Sequence, residues 1–305
     1  MRYWRIKGDE LGSFVPVAFW PSSNFVSVPF AAHTNVRIYW EEHGQGPPLL
    51  LIMGLSFTLE MWHRAVAELS KSYRCIVFDN RGVGRSDAPR GRRYSIATMA
   101  EDALAVLDAA GVREPAFILG ASMGGMIAQE LALRHPDRVR ALVLACTASG
   151  LLLRAGWPRL ARLPFLYHWL TLKGEAREWA ICSLLYAEAT APSRIEEDIR
   201  IRAGCQPPRR AVFCQLAGIL SWNSRPRLSQ IKVPVLVIHG DEDRILPAIN
   251  GRLVAGQIPN AEFVLIPHAG HMITTDQPEL SLRVVKQFLE RAASSSNTLP
   301  FNAPV

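Results

Sequence analysis

The sequence predicts an α/β fold with a mostly parallel twisted sheet flanked by helices, and three observations carry that expectation. Apolar stretches of strand length alternate with stretches of helical periodicity through much of the chain, which is the signature of parallel strands joined by helices. The strand stretches are near-continuous runs of Val, Ile and Leu, as expected of strands covered on both faces. In "FILGASMGGMIAQ", residues 117–129, a strand-like lead passes through glycines and one serine straight into a helical pattern. Glycine serves where backbone bends sharply or comes close to other backbone. The serine on that bend is either an accident of a turn or a hydroxyl pushed outward.

In chain order, "NVRIYWEEHGQGPP" reads as an N-terminal hairpin and "LLLIM" as a buried strand. "LEMWHRAVAELS" has helical spacing, "RCIVFD" is the next strand, and "YSIATMAEDALAVLDAAG" is a long amphipathic helix. "AFILGA" leads into the serine turn, "MIAQELALRHP" follows it as a helix, and "ALVLAC" returns to strand. Beyond it lie about 80 residues without a strong strand, rich in Trp, Leu and Arg, too long for an ordinary connection. This interval reads as an inserted helical cap. The strands resume with "PVLVIHG" and "FVLIP", and "ELSLRVVKQFLERAA" closes the pattern as a helix. The expected organisation is a core in residues 1–150 with an N-terminal extension, a helical cap in 151–229, and the rest of the core in 230–305. The tail "SSSNTLPFNAPV" is expected to be flexible, and no internal repeat is visible.

Composition narrows the function classes. With 305 residues, 49% of them hydrophobic, the chain can bury a large core. No apolar run approaches the roughly 18 residues of a membrane span. Asp9 and Glu10 interrupt the N-terminus, so no secretory signal is read and a cytoplasmic enzyme is expected. Five cysteines (Cys75, Cys146, Cys182, Cys205, Cys214) are scattered without a CxxC pair, which points to reduced thiols rather than disulfides or a metal site. The net charge is +7, with 29 of the 34 basic residues Arg, but there is no basic run or nucleic-acid motif. No nucleic-acid partner is expected.

The chemistry gathers around Ser122. A G-x-S-x-G pattern alone is a weak signal, but here a strand precedes it and a helix follows, as its chemistry requires. A serine hydroxyl is a poor nucleophile until a base takes its proton. The tight turn into a helix supplies backbone N–H groups that stabilise negative charge. Downstream, "VLVIHGDEDRILP" runs from a strand into an acidic turn, and "FVLIPHAGHMITTDQPE" runs from a strand into a loop bearing histidines.

With "DNRGVGRS", "GASMGG", "HGDEDRILP" and "HAGHM" in this order, the sequence resembles the α/β-hydrolase fold superfamily, on the side of its serine esterases and 3-oxoadipate enol-lactonases. The resemblance runs from about Asn35 to Ala292. It implies Ser122 as nucleophile, Asp243 as orienting acid and His271 as base. Asp241 and His268 are the rivals for the last two roles. His239 reads as a strand-end histidine. The resemblance also implies an oxyanion hole from the amides of Met123 and Leu55. The loop after "LLLIM" reads Met53-Gly54-Leu55, where many family members carry His-Gly. "DNRGVGRS" lacks both phosphate-loop patterns and reads as a structural turn.

The implied activity is hydrolysis of a small carboxylic ester or lactone through an acyl-enzyme, with no cofactor and no metal. Carbon–carbon hydrolysis and cofactor-free perhydrolysis use the same triad and stay open, as does a non-catalytic ligand receptor. The cap interval carries 12 Lys/Arg against 6 Asp/Glu, by count over 151–229. Either these are solvated arginines or they attract an anionic substrate. Its aromatic residues (Trp157, Phe165, Tyr167, Trp169, Trp179, Tyr186, Phe213, Trp222) are expected mostly to build the cap's own core.

Overall fold

The inner strands are apolar on both faces because both faces are covered. In β3 (Pro48–Ile52) the residues Leu49 to Ile52 are fully buried, and successive side chains of a strand point to opposite faces. Leu50 and Ile52 accordingly join one core cluster, while Leu49 and Leu51 join the other. β4 (Arg74–Phe78) divides the same way, Ile76 and Phe78 against Cys75 and Val77. Each such aliphatic side chain contributes about 1.5–3 kcal/mol by leaving water.

The structure, a computed structural model, describes residues 30–91, 94–150, 171, 174–204 and 207–295. Its remaining strands are β1 (Phe30–His33), β2 (Val36–His43), β5 (Ala116–Ala121), β6 (Val139–Ala145), β7 (Val235–Gly240) and β8 (Glu262–Ile266). One eight-stranded sheet results, in the order β1-β2-β4-β3-β5-β6-β7-β8. From β4 to β8 all neighbours are parallel. β2 runs antiparallel both to β1 and to β4.

One expectation needs correcting. The hairpin lies before Asn35 as well as after it: β1 pairs with β2 across Thr34 and Asn35, both at positive φ (49° and 61°). Such a pair matches the twist of the flanking strands. The glycine-containing turn after His43 does not close a hairpin, because β4 inserts between β2 and β3.

Helices α1 (His63–Leu69) and α9 (Pro278–Ser295) cover one face of the sheet; α2 (Ile96–Ala109), α3 (Met123–Arg134) and α7 (Ile249–Ala255) cover the other. α2 starts at Ser95, whose hydroxyl accepts from the Thr98 amide at 3.0 Å and so satisfies one orphan donor of the first turn. Between β6 and β7 come α4 (Gly174–Leu185), α5 (Pro192–Ala203) and α6 (Arg209–Ser221), and the short α8 (Ile273–Asp276) follows β8. Residues 151–170 of the expected cap, with Trp157, Phe165, Tyr167 and Trp169, lie outside the described residues, as do Cys205, residues 1–29 and residues 296–305 of the tail, whose first two serines end α9. Of the expected cap aromatics, Tyr186 and Trp222 are buried, while Phe213 stands exposed on α6.

α5 docks through charge as well as through Ile195, Ile199 and Ile201, which pack on the core cluster of α1 and α9. Asp198, fully buried, accepts from Arg64 Nη1 of α1 at 2.5 Å, from Thr275 Oγ1 at 2.7 Å and from Tyr186 OH at 2.9 Å. Three elements meet on this one carboxylate.

Candidate active site

Four consecutive parallel strands, β5 to β8, end on the same side of the sheet, and each hands the chain to one residue of interest. The ladder continues past the strand ends: Ser122 N donates to Ala145 O and Cys146 N to Ile238 O, each at 2.9 Å. Ser122 therefore stands at the carboxyl end of β5, beside the end of β6.

Ser122 adopts φ 55°, ψ −118°, a conformation disfavoured for any residue with a Cβ. Its surroundings impose it. A Cβ on Gly124 would lie 1.9 Å from the Ile52 carbonyl oxygen, and one on Gly120 would lie 2.4 Å from that of Gly124. Strand and helix thus approach too closely for side chains, and the serine takes up the strain of the turn. Thr147, buried after β6, donates to the Ser122 carbonyl at 2.7 Å and braces the bend from beside it.

After β7, Asp243 is buried, and its Oδ1 accepts from the amides of Ile245 (2.9 Å) and Leu246 (2.8 Å). Its Oδ2 lies 2.8 Å from His271 Nδ1 and 3.2 Å from His239 Nε2. Burial alone would raise this carboxyl, but His271 and His239 beside it outweigh burial and hold it well below the usual carboxylate range. With Nδ1–H committed to Asp243, His271 keeps Nε2 as an acceptor. The structure draws no hydrogen bond between Ser122 Oγ and His271.

The rivals are placed elsewhere. Asp241 Oδ1 accepts from the Ala269 amide at 3.2 Å, and His268 is exposed at φ 54° with its nearest carboxylate, Glu242, at 3.8 Å. His239, buried, also approaches the Leu246 carbonyl at 2.6 Å, so it braces the turn that carries Asp243.

The His271 loop is held from the interval between β6 and β7. The carbonyl of Leu185, last residue of α4, accepts from His271 N at 2.7 Å and Met272 N at 3.1 Å. Asp276 accepts from the Gly270 amide at 2.7 Å and from Thr190 Oγ1 at 2.6 Å. Burial pushes the Asp276 carboxyl up to about 6 in spite of these donors.

Met123 is the first residue of α3, where the amides have no intrahelical partner. A Cβ on Gly54 would meet Ser122 Cβ at 3.1 Å, so the Met53–Leu55 loop lies directly against the serine. That loop is tied at both ends: Asn80 Nδ2 donates to Met53 O at 2.8 Å, and Ser56 N donates to Gln215 Oε1 at 3.0 Å. The turn "DNRGVGRS" is a brace for the same loop. Asp79 accepts from the amides of Leu59 and Arg85, each at 2.9 Å, and buried Arg81 pairs with Asp102 through two 2.5 Å bonds.

Cys146, Asp243 and His271 bring three metal-ligating atoms within 4.8 Å of one another. Hydrogen bonding already accounts for the cluster. Both Asp243 oxygens have donors, and burial together with Asp243 pushes the Cys146 thiol well above its ordinary value, so it stays protonated. Among the described residues, no helix is long and apolar enough to cross a membrane.

A family model for the alpha/beta hydrolase fold matches residues 47–169 and 205–278. The chain belongs to the alpha/beta hydrolase fold family. The RutD protein of Azorhizobium caulinodans, named for carbamate hydrolysis, is 31% identical to this hydrolase over 83% of its chain and 95% of its own. The pimeloyl-[acyl-carrier protein] methyl ester esterase of Aeromonas hydrophila is 26% identical over 82% and 98%. Among solved structures, Est816, described as an N-acyl homoserine lactone degrading enzyme, is 31% identical with TM-score 0.72, covering 85% of this hydrolase and 100% of Est816. Residues 170–204, which hold α4 and α5, fall outside the family match.

Sequence reasoning missed Thr147, Asn80, Gln215 and Asp276 in this hydrolase. Only Asn80 carried a signal, its place inside "DNRGVGRS".

Proposed function

We propose that the protein is a serine hydrolase of small carboxylic esters or lactones, working through an acyl-enzyme without a cofactor. The observation that carries this reading is the Asp243–His271 pair, 2.8 Å between Oδ2 and Nδ1, presented at the same strand ends as the strained Ser122. Nε2 of His271 takes the Ser122 proton as Oγ attacks the substrate carbonyl. The negative charge that forms on the carbonyl oxygen is met by the amides of Met123 and Leu55. His271 then passes its proton to the leaving alkoxide, and the alcohol departs. Water repeats the sequence on the acyl-enzyme, and Ser122 regains its proton. Asp243 stabilises the imidazolium in both halves.

The likeness to a methyl ester esterase and to a lactone-degrading enzyme supports the substrate class. The segment 151–229 is proposed to act as a cap over the serine between core parts 1–150 and 230–305, because Leu185 and Gln215 within it bond directly to the His271 and Ser56 loops. The setting is proposed to be cytoplasmic, on the reading that five scattered cysteines without a CxxC pair stay reduced.

The test is release of p-nitrophenol from acetate, butyrate and octanoate esters by wild type and Ser122→Ala. Wild-type turnover that falls by about 10³-fold or more in the variant, with the fold intact by circular dichroism, is the expected result. Equal turnover by the two proteins sinks the serine mechanism. Homoserine lactones and aryl carbamates, assayed alongside, rank the substrate class.

A further inference from the structure

We infer that Gln215 is a positioning residue for the oxyanion hole, a clasp from α6 that fixes the loop bearing the Leu55 amide. The inference rests on the serine-hydrolase reading above.

Gln215 is fully buried, and both ends of its amide are used. Oε1 accepts from Ser56 N at 3.0 Å, and Nε2 donates to the Arg81 carbonyl at 3.0 Å. An amide N–H can only donate and a carbonyl can only accept, so these partners fix which way the side-chain amide faces. The Arg81 end is firm, because its guanidinium is locked on Asp102 by two 2.5 Å bonds in the buried interior. The Ser56 end is the part that needs holding. Ser56 sits at φ 64°, a left-handed conformation disfavoured for a residue with a Cβ. Without a partner for its N–H, the backbone there relaxes toward negative φ and swings the neighbouring Leu55 peptide. Upstream, Asn80 holds Met53 O at 2.8 Å. Leu55 is thus suspended between two side-chain clasps, one from the core and one from the 151–229 interval.

The docking of α6 does not depend on this side chain. Arg210 donates to the carbonyls of Ala88 and Pro89, each at 2.9 Å, and a Cβ on Gly218 would lie 2.1 Å from Tyr94 O. α6 therefore has anchors besides Gln215, whose two hydrogen bonds go to the Ser56 and Arg81 backbones. It spans 159 positions to reach Ser56.

The experiment compares wild type, Gln215→Met and Gln215→Glu on the best p-nitrophenyl ester. Each protein is also titrated with a phenylboronic acid, which forms a tetrahedral serine adduct, and with the carboxylate product, which does not. Methionine keeps the volume and removes both hydrogen bonds; glutamate keeps the acceptor for Ser56. The expected result for Gln215→Met is a kcat lower by about 10- to 100-fold, short of the loss of a donor itself, with KM within about threefold. Boronate affinity should fall in step with kcat while product affinity holds, and Gln215→Glu should lie between. In the wild type the Ser56 amide should resist hydrogen exchange, a readout that does not require either variant to fold.

A kcat and boronate affinity within about twofold of wild type in Gln215→Met overturns the inference, as does a loss of kcat, product binding and melting temperature together. Rapid exchange at Ser56 also overturns it. These failures differ from failure of the underlying reading. If Ser122→Ala is dead and Gln215→Met is fully active, only the clasp is wrong; if Ser122→Ala still turns over, the mechanism itself is wrong.

Discussion

Asp243 spends one oxygen on backbone amides and the other on histidines, and that division decides what a substitution does. Asparagine at 243 can still accept from Ile245 and Leu246 through its carbonyl. Its NH2 then faces His271 Nδ1, which must accept rather than donate. The proton moves to Nε2, where it blocks the abstraction from Ser122. Asp243→Asn should lower kcat by about 10³- to 10⁴-fold with KM little changed, and steady-state kinetics against wild type checks it. A smaller drop in Asp243→Asn than in Asp241→Asn would reverse the assignment of the acid. At this scale the sequence was readable where the residues of the proposed site stand at the end of a strand. Ser122, Asp243 and His271 each follow an apolar run within a few positions, so local pattern locates them. Gln215 and Thr147 look like ordinary helix and loop residues, since their roles come from partners far along the chain.

Among the elements, α5 is the most deceptive. "PSRIEEDIRIRA" reads as a solvated charged helix, yet Asp198 and Arg202 are buried within it. The reason is long range: Arg64 of α1 and Thr275 of α8 converge on Asp198 from 134 and 77 positions away. Asp198→Ala leaves the guanidinium of Arg64 without that partner in a mostly buried place, a class of change that costs about 3–5 kcal/mol. Arg64 keeps Glu197, so the lower end is expected, read as a fall in the denaturant midpoint at unchanged slope. No change in midpoint would mean α5 docks by other contacts. α3 hides a similar case. Glu130 and Arg134 look like an exposed i,i+4 pair, but Trp222 Nε1 (2.8 Å) and Arg227 also reach Glu130 and bury it. The hairpin expectation erred for a related reason. Glycine spacing after His43 shows where the chain turns, and only the insertion of β4 shows which strands pair.

For the whole molecule, four buried or half-buried carboxyls pull stability in opposite directions with pH. Burial and Glu60 raise Asp79 to about 6, and burial raises Asp276 to about 6. Each therefore contributes fully below its unfolded value near 3.8 and loses that contribution as pH climbs through about 6. Asp243 and Glu130 do the reverse. Arg227, Trp222 and Arg134 outweigh burial to hold Glu130 at about 2, so its contribution is present above 4.5 and fades as pH falls toward 2. The melting temperature should therefore peak between about pH 3.8 and 4.5, falling on the acid side as Asp243 and Glu130 protonate and on the other side until about pH 6 as Asp79 and Asp276 ionise, as measured by calorimetry from pH 3 to 9. A midpoint still rising beyond pH 8 would contradict these assignments. The alternation of strands and helices, which fixes this overall plan, is the part of the fold most openly written in the chain, because strands buried on both faces have little freedom of composition. The carbonyl of Leu185 carries a consequence beyond energetics. It anchors the backbone of His271, yet it ends a helix in the stretch 170–204 that the family pattern does not cover. A substitution in that stretch is therefore mechanically linked to the backbone of His271. Under the proposed function, a change there that altered substrate preference would also shift the base.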